Sequence, residues 1–166
     1  MTADTDSPGP YPLDHEFRVQ VVGAAVVDDP HNPTHFLVAQ RAYPETLRGM
    51  WEFPGGKVEP EDPSCEEALI RECREELDVE LELLHEIPGP HPQGWPLKDS
   101  AAMRVWTAFV TDGELLIGRQ FDGSDHLELR WIPLDGDAAR TLEWIPADRP
   151  IVEALLRRLE RGPLVW

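Results

Sequence analysis

Two adjacent glycines followed by a strongly acidic helix constrain this chain more than any other feature. Gly55 and Gly56 end a short apolar segment, and paired glycines let a backbone bend sharply and approach a ligand closely. A helix is predicted shortly afterwards, because Ser64 and Glu67 have the spacing of a capping box. An alternative start is Asp62-Pro63, with proline at the first helical position. Either start places the helix directly after the bend.

The order of acids along this helix is informative. Glu72 and Glu76 are one turn apart and Glu75 lies three residues after Glu72, so the three carboxylates share about a third of the circumference. Like charges at these spacings destabilise a helix slightly, and a divalent cation would offset their repulsion. Mg²⁺ prefers oxygen ligands and binds through a few carboxylates together with substrate phosphates. For these residues taken alone, a solvent-facing acidic helix is the simpler alternative.

The segment that precedes the helix favours a phosphate site. Residues Trp51 to Pro60 (WEFPGGKVEP) lead into it, and Lys57 places a cation beside the site. The glycines alone are typical of an ordinary turn. The combination of glycines, lysine and carboxylates is far more specific for a phosphate site than either the glycines or the acidic helix alone.

The charge balance excludes some classes of partner. The 166 residues include 15 basic and 32 acidic ones, which gives a net charge of −17. Proteins that coat duplex nucleic acid or bind anionic membranes need surfaces rich in lysine and arginine, so neither partner is expected. A small-molecule nucleotide remains compatible, since its phosphates arrive largely neutralised when a divalent metal accompanies them.

The cysteines and the termini suggest where the protein resides. Cys65 and Cys73 lie on the same predicted helix, too far apart for a disulfide, so we expect two buried thiols in a reducing cytoplasm. No apolar run reaches the roughly 18 residues of a membrane span, and the acidic, proline-rich start lacks a signal-peptide pattern. Residues 1–16 are expected to form a flexible tail before a single domain over residues 17–166.

The rest of the chain predicts a mixed α/β protein. Phe17 to Val27 and His35 to Arg41 have strand patterns and a turn between them, which predicts a hairpin. Other predicted elements are the strands Leu81 to Ile87, Ala102 to Thr111 and Leu127 to Pro133, a loop from Pro88 to Ser100, and an amphipathic helix from Ile151 to Arg161. Strands and helices that alternate in this way favour a mixed sheet flanked by helices.

The glycines and the acidic helix together resemble the signature of the Nudix family. That signature is a glycine, five spacers, a glutamate, seven spacers, and then Arg-Glu-apolar-x-Glu-Glu-x-Gly-apolar. The matching residues are Gly56, Lys57, Val58 and Glu59 at the opening and Arg71, Glu72, Cys73, Glu75, Glu76 and Val79 at the close. The interval from Gly56 to Arg71 is one residue longer than the pattern, so the middle acid is Glu61 or Asp62. Asp78 stands where the signature has its late glycine.

The resemblance implies a fold, a cofactor and a catalytic site. The fold would be an α/β/α sandwich around a mixed β-sheet. Glu72, Glu75 and Glu76 would bind Mg²⁺, with Mn²⁺ as a substitute, and Glu75 would double as the general base. The further metal ligands would be Glu59, the backbone oxygen of Gly56, and a late acid, either Asp125 or Glu128. Arg71 would order the helix through ion pairs.

Other segments resemble the MutT-like branch of the family, whose members hydrolyse (deoxy)nucleoside triphosphates to the monophosphate and pyrophosphate. These segments are Ala39-Gln40-Arg41-Ala42, Trp51 to Lys57 and Pro146 to Pro150. The resemblance implies a substrate site that contains Arg41, Glu52 and Lys57, with Asp148 at the base-reading position.

Two of the implied base contacts also have structural interpretations. An ionised Asp148 would accept hydrogen bonds, which suits the amino or imino N–H of cytosine-type or oxidised guanine bases such as that of 8-oxo-dGTP. Alternatively, Asp148 caps the final helix. Trp106, like Trp95 and Trp144, would either stack on the base or pack within the protein.

Other functions remain open. The substrate could instead be ADP-ribose or another nucleoside-diphosphate sugar. A Nudix-fold module that binds nucleotides without cutting them typically lacks some of the motif carboxylates, which are all present here. An acidic calcium-binding or scaffold protein fits least, because the acids cluster on a helix rather than in an EF-hand loop. The assembly is expected to be a monomer or a homodimer.

Overall fold

Eight strands and three helices make up the described part of the protein. The structure is a computed structural model and describes residues 16–118 and 126–164. The strands are β1 (Val19–Val26), β2 (His35–Arg41), β3 (Trp51–Glu52), β4 (Gly55–Lys57), β5 (Glu80–Ile87), β6 (Trp95–Pro96), β7 (Ala101–Asp112) and β8 (His126–Pro133). The helices are α1 (Cys65–Leu77), α2 (Gly136–Thr141) and α3 (Arg149–Leu159), and short 3-10 turns occur at Glu45–Leu47 and Pro146–Asp148.

The strands form two hydrogen-bonded sheets. The larger sheet has the order β4-β1-β7-β5, and β6 adds to β7. The smaller sheet has the order β3-β2-β8. Strands β1 and β7 run parallel, whereas β4 and β5 are antiparallel to their neighbours, so the larger sheet is mixed as predicted.

Helices cover both faces of the sheets. Because side chains alternate along a strand, β1 turns Val22 and Ala24 toward one core cluster and Ala25 toward the other. The first cluster includes Leu69 of α1, and the second includes Leu155 of α3. The α/β/α sandwich is therefore confirmed.

Local signals set both ends of α1. The Ser64 hydroxyl oxygen accepts a hydrogen bond from the Glu67 backbone N–H at 3.0 Å, so the capping box marks the start. The helix ends at Asp78, which is left-handed with φ 58° and ψ 41°. Aspartate is one of the few residues that adopt this conformation readily, which explains how it replaces the glycine of the signature. Cys65 and Cys73 of α1 are buried and form no disulfide, as predicted.

The hairpin predicted between β1 and β2 is wrong. These strands belong to different sheets and meet only at the isolated bridge between Val27 and Phe36. A strand has two edges, and both edges of β1 are occupied, by β4 and β7. The edges of β2 are likewise occupied by β3 and β8. The two strands therefore separate immediately after their connecting turn.

Strands β3, β4 and β6 and helix α2 were not predicted, and two predictions were not tested. Strand β4 stands where a diglycine bend was predicted and pairs with β1. Strand β6 lies within the predicted loop, and α2, whose N-cap is Asp135, is too short to show a helical periodicity. No helix in residues 16–118 or 126–164 has the length and apolar character to cross a bilayer. The tail predicted over residues 1–16 lies, apart from its last residue, outside the described residues, and its flexibility remains a prediction together with the domain boundary.

Candidate active site

A cavity of about 590 Å³ lies between the two sheets and brings most of the predicted site residues together. One wall is formed by β4 of the larger sheet, the loop between β4 and α1, and α1 itself. The charged and glycine residues of this wall are Gly56, Lys57, Glu59, Glu72 and Glu76. The opposite wall comes from the smaller sheet and the 3-10 turn before α3, and it contributes Arg41, Glu52, His126 and Asp148. The signature residues thus face the residues proposed to recognise substrate.

The paired glycines leave room for two close contacts of β4. A Cβ atom added at Gly56 would overlap the carboxylate of Glu72, and one added at Gly55 would overlap the backbone carbonyl oxygen of Val22. No side chain fits at either position without displacing its neighbour. Gly56 therefore lets the Glu72 carboxylate of α1 lie directly on β4, and Gly55 lets β4 approach β1.

Glu72 is the most enclosed of the three helix glutamates. Its side chain is 13% exposed. Burial raises the pKa of this carboxyl, and the charges of Glu75 and Glu59 raise it further, whereas Arg71 opposes the change. A cation bound beside Glu72 would favour its ionised form.

Arg71 orders the helix and the loop before it, as predicted. Its Nε and Nη2 atoms donate to the two carboxylate oxygens of Asp62, each at 2.8 Å, and Nη1 lies 3.1 Å from Glu75 Oε1. Asp62 also accepts a hydrogen bond from the Glu59 backbone N–H at 2.8 Å. The Arg71 hydrogen bonds lower the pKa of Asp62. Of the two acids left open for the middle position, the buried Asp62 contacts the helix, and Glu61 is exposed.

The proposed metal ligands are only partly gathered in this conformation. Glu72 and Glu76 line the cavity, but Glu75 does not, and its side chain is 60% exposed. Among residues 16–118 and 126–164, no three Asp, Glu, His or Cys side chains are close enough together to hold an ion. The donors nevertheless fit a hard divalent cation, since carboxylates and a backbone carbonyl are the oxygen ligands that Mg²⁺ prefers. The ligand set and the role of Glu75 as base remain predictions.

Neither of the two candidates for a late acid is placed in the cavity. Asp125 lies outside the described residues. The carboxylate of Glu128 pairs with Arg130 at 3.2 Å, and Glu128 is absent from the cavity lining.

The opposite wall holds a linked set of charged groups. Nη1 of Arg41 lies 3.3 Å from Glu52 Oε1, and His126 Nε2 lies 3.0 Å from Glu52 Oε2. The other ring nitrogen of His126 lies 3.6 Å from Glu76 Oε1. Sequence reasoning missed His126, because a single histidine at the start of a strand carries no motif. Only the convergence of β3, β8 and α1 reveals its place.

Asp148 lies inside the cavity wall and does not cap α3. It is 3% exposed, and its Oδ2 accepts a hydrogen bond from the Phe53 backbone N–H at 3.4 Å. Its side chain makes no capping hydrogen bond to α3, so the capping alternative is wrong. Burial, with a contribution from the charge of Glu52, raises the pKa of Asp148 to about 8. The raised pKa favours the protonated carboxyl at neutral pH, in which Asp148 can donate a hydrogen bond as well as accept one, and its role in reading the base remains a prediction.

The three tryptophans considered as base-stacking residues pack within the protein instead. Trp106, predicted to contact substrate, is buried in the cluster beneath α1, and the Arg104 guanidinium lies 4.7 Å from its ring centroid. Trp144 stacks on Phe36 in the opposite cluster, and the Trp95 indole N–H donates to Ile87 O. Trp106 is thus corrected to a core residue. The apolar side chains that do line the cavity include Tyr43, Leu47, Leu97, Met103 and Ile145.

Comparison with known proteins identifies relatives of this chain. The family model described as "NUDIX domain" matches residues 17–155. A Mycobacterium tuberculosis protein named "Putative 8-oxo-dGTP diphosphatase 2" is 34% identical over 123 residues, which cover 74% of this chain and 80% of that protein. The CTP pyrophosphohydrolase of Escherichia coli K12 is 47% identical over 62 residues, which cover 37% of this chain and 42% of that enzyme.

A solved structure extends the similarity to most of the fold. The solution structure of the E. coli ORF135 protein superposes with a TM-score of 0.62 at 30% identity, and the match covers 86% of this chain and 90% of that one. The domain match, the relatives and the glycine–glutamate cavity together show that this chain belongs to the Nudix family, as a MutT-like hydrolase of phosphoanhydride bonds.

Proposed function

We propose that the protein is a Mg²⁺-dependent pyrophosphohydrolase that converts (deoxy)nucleoside triphosphates to the monophosphate and pyrophosphate. The observation that carries this proposal is a single cavity with carboxylates on one wall and the buried Asp148 on the other. The carboxylate wall suits phosphates that arrive with a metal ion, and the Asp148 wall suits a base. The volume of about 590 Å³ is within the range of small-molecule sites.

Mg²⁺, or Mn²⁺ in its place, would be held by Glu72, Glu75 and Glu76. Additional oxygen ligands would come from Glu59, the Gly56 carbonyl and Asp125. When bound, the ion supplies positive charge that offsets the charge of the phosphates and activates water. As the family resemblance implies, Glu75 would also take the proton of the attacking water or orient that water.

The remaining cavity residues would bind and orient the nucleotide. Lys57 and Arg41 place positive charge near the phosphates, and Glu52 holds Arg41. A protonated Asp148 offers an O–H donor beside a carbonyl acceptor. This pair complements a base edge that carries an acceptor next to a donor. Cytosine and the O6/N1–H edge of guanine, which 8-oxoguanine retains, both have such an edge, and two of the relatives are named for substrates with these bases.

Hydrolysis of a nucleotide panel in ¹⁸O water tests the proposal. The panel contains CTP, dCTP, dGTP, 8-oxo-dGTP, ATP and ADP-ribose, each with Mg²⁺ and with a chelator. We expect turnover of a triphosphate with Mg²⁺ only, with preference for a cytosine or 8-oxoguanine base. Label in the monophosphate would identify attack at the α phosphorus, and label in pyrophosphate would identify attack at the β phosphorus.

Two outcomes would contradict the proposal. Preference for ADP-ribose would assign the enzyme to nucleoside-diphosphate derivatives. Nucleotide binding without turnover of any panel member, with Mg²⁺ or Mn²⁺, would identify a binding module.

We also infer a cytoplasmic monomer or homodimer. Two buried cysteines that form no disulfide suit a reducing compartment. Light scattering on the purified protein would distinguish the two assemblies.

A further inference from the structure

The imidazole of His126 lies between carboxylates from the two walls of the cavity. Its Nε2 atom is 3.0 Å from Glu52 Oε2, and its Nδ1 atom is 3.6 Å from Glu76 Oε1. The His126 side chain is only 8% exposed, so the surrounding protein limits its rotation. Glu52 belongs to β3 and Glu76 to α1, and these elements contact the ring from different sides.

The two contacts of the ring are not equivalent. A distance of 3.0 Å is within hydrogen-bond range, whereas 3.6 Å is too long for one. In either protonation state of the ring, Nε2 can carry the proton that is donated to Glu52. His126 therefore binds Glu52 directly and limits the position of Glu76 by contact.

Glu52 extends this connection to the substrate wall. One of its oxygens accepts from His126, and the other accepts from Arg41 Nη1 at 3.3 Å. With both oxygens engaged, the carboxylate has a fixed orientation next to Asp148, whose protonation it favours. A continuous series of contacts thus runs from Arg41 through Glu52 and His126 to Glu76.

We propose that His126 is a positioning residue that sets the substrate wall relative to the metal-binding helix. It holds Glu52, and through Glu52 it holds Arg41, in register with Glu76 of α1. This role rests on the proposed function, because it assigns nucleotide recognition to Arg41 and metal binding to Glu76. The role requires an N–H donor at the position of Nε2 and not merely a side chain that fills the space.

Three substitutions of His126 distinguish the effect of its N–H donor from the effect of its side-chain volume. His126→Gln places an amide N–H near the position of Nε2, so kcat/KM should stay within about fivefold of wild type. His126→Leu removes the donor but retains bulk, and loss of a hydrogen bond to a carboxylate should lower kcat/KM about tenfold to a hundredfold. His126→Asn is the matched control, since its shorter amide approaches the position of Nδ1 but does not reach that of Nε2. It should resemble His126→Leu.

Three measurements distinguish positioning from a purely structural role. The loss in His126→Leu and His126→Asn should appear mainly as a raised KM for the nucleotide. Mn²⁺ affinity measured by electron paramagnetic resonance without nucleotide should fall in His126→Leu, which has no polar group beside Glu76, and should be retained in His126→Asn, whose amide lies near the position of Nδ1. The melting temperatures of the three variants should not rank in the same order as their kcat/KM values. Equal effects of all three substitutions, or effects that parallel the melting temperatures, would overturn the proposal.

A double-substitution cycle tests the path through Glu52. If His126 acts through Glu52, the double variant Glu52→Gln/His126→Leu should have the same KM as the worse single variant. Additive losses would overturn the proposal. The proposed function is judged separately by turnover in wild type, and without turnover, nucleotide and Mn²⁺ binding by the same variants would still test the role of His126.

Discussion

Replacing Asp148 by asparagine should change how the stability of the protein depends on pH. The carboxyl of Asp148 is enclosed beside Glu52, and its pKa is about 8 in the folded protein, compared with 3.8 for an unperturbed aspartate. Between these two values the folded state binds more protons than the unfolded state. The free energy of unfolding therefore falls as pH rises from about 4 to about 8, the reverse of the effect of an ion-paired aspartate.

The size of the effect follows from the slope of this dependence. One protonation difference changes the free energy of unfolding by about 1.4 kcal/mol per pH unit. Between pH 5 and pH 7 the contribution of Asp148 is therefore at most about 3 kcal/mol. Local rearrangement and water entry on ionisation would reduce it, so we expect a difference of about 1–3 kcal/mol between wild type and Asp148→Asn.

Urea unfolding at pH 5, 6 and 7 measures this difference. Asparagine has the same shape, retains an acceptor for the Phe53 N–H and does not titrate, so Asp148→Asn should gain stability relative to wild type as pH rises. Asp112→Asn, on the exposed end of β7, is the matched control and should follow wild type at every pH. Parallel stability curves for wild type and Asp148→Asn would refute the assignment of a buried, neutral carboxyl. A loss of base preference in the nucleotide panel would link this carboxyl to recognition.

Three further substitutions test the helix wall. Glu75→Gln should lower turnover by about 10²–10⁴-fold with an unchanged circular dichroism spectrum, and wild-type activity would reject Glu75 as the base. Gly55→Ala should destabilise the protein by about 1–3 kcal/mol in urea unfolding, because the new methyl group overlaps the backbone carbonyl oxygen of Val22, and unchanged stability would show that β4 shifts freely from β1. Asp62→Asn should lower stability by about 1–3 kcal/mol at pH 7 through loss of the charged pair with Arg71. Since folding lowers the pKa of Asp62, that difference should vanish as pH falls below this pKa, and a difference that persists there would contradict the ion-pair interpretation.

Features encoded by near neighbours in the sequence were predicted correctly. The start of α1 at Ser64, the glycines before it and the tolerance of Asp78 for a left-handed conformation depend on residues within one or two turns. The family signature is equally local, so it identified the cavity wall that contains Glu72 and Glu76. Alternation predicted the strand at Leu81 to Ile87, whereas a valine-rich run predicted the strand at Phe17 to Val27, which is buried on both faces.

Features that depend on distant segments were decided by the tertiary structure. Strand pairing separated β1 from β2, because each strand has only two edges and long-range partners occupied them. Burial raised the pKa of Asp148, and core packing placed Trp106 beneath α1 rather than in the cavity. His126 of β8 contacts Glu52 of β3 and Glu76 of α1, which lie far from it in the sequence, so only the folded structure brings these side chains together. Sequence patterns report local backbone preferences, whereas desolvation and contacts between distant side chains exist only after the chain has folded.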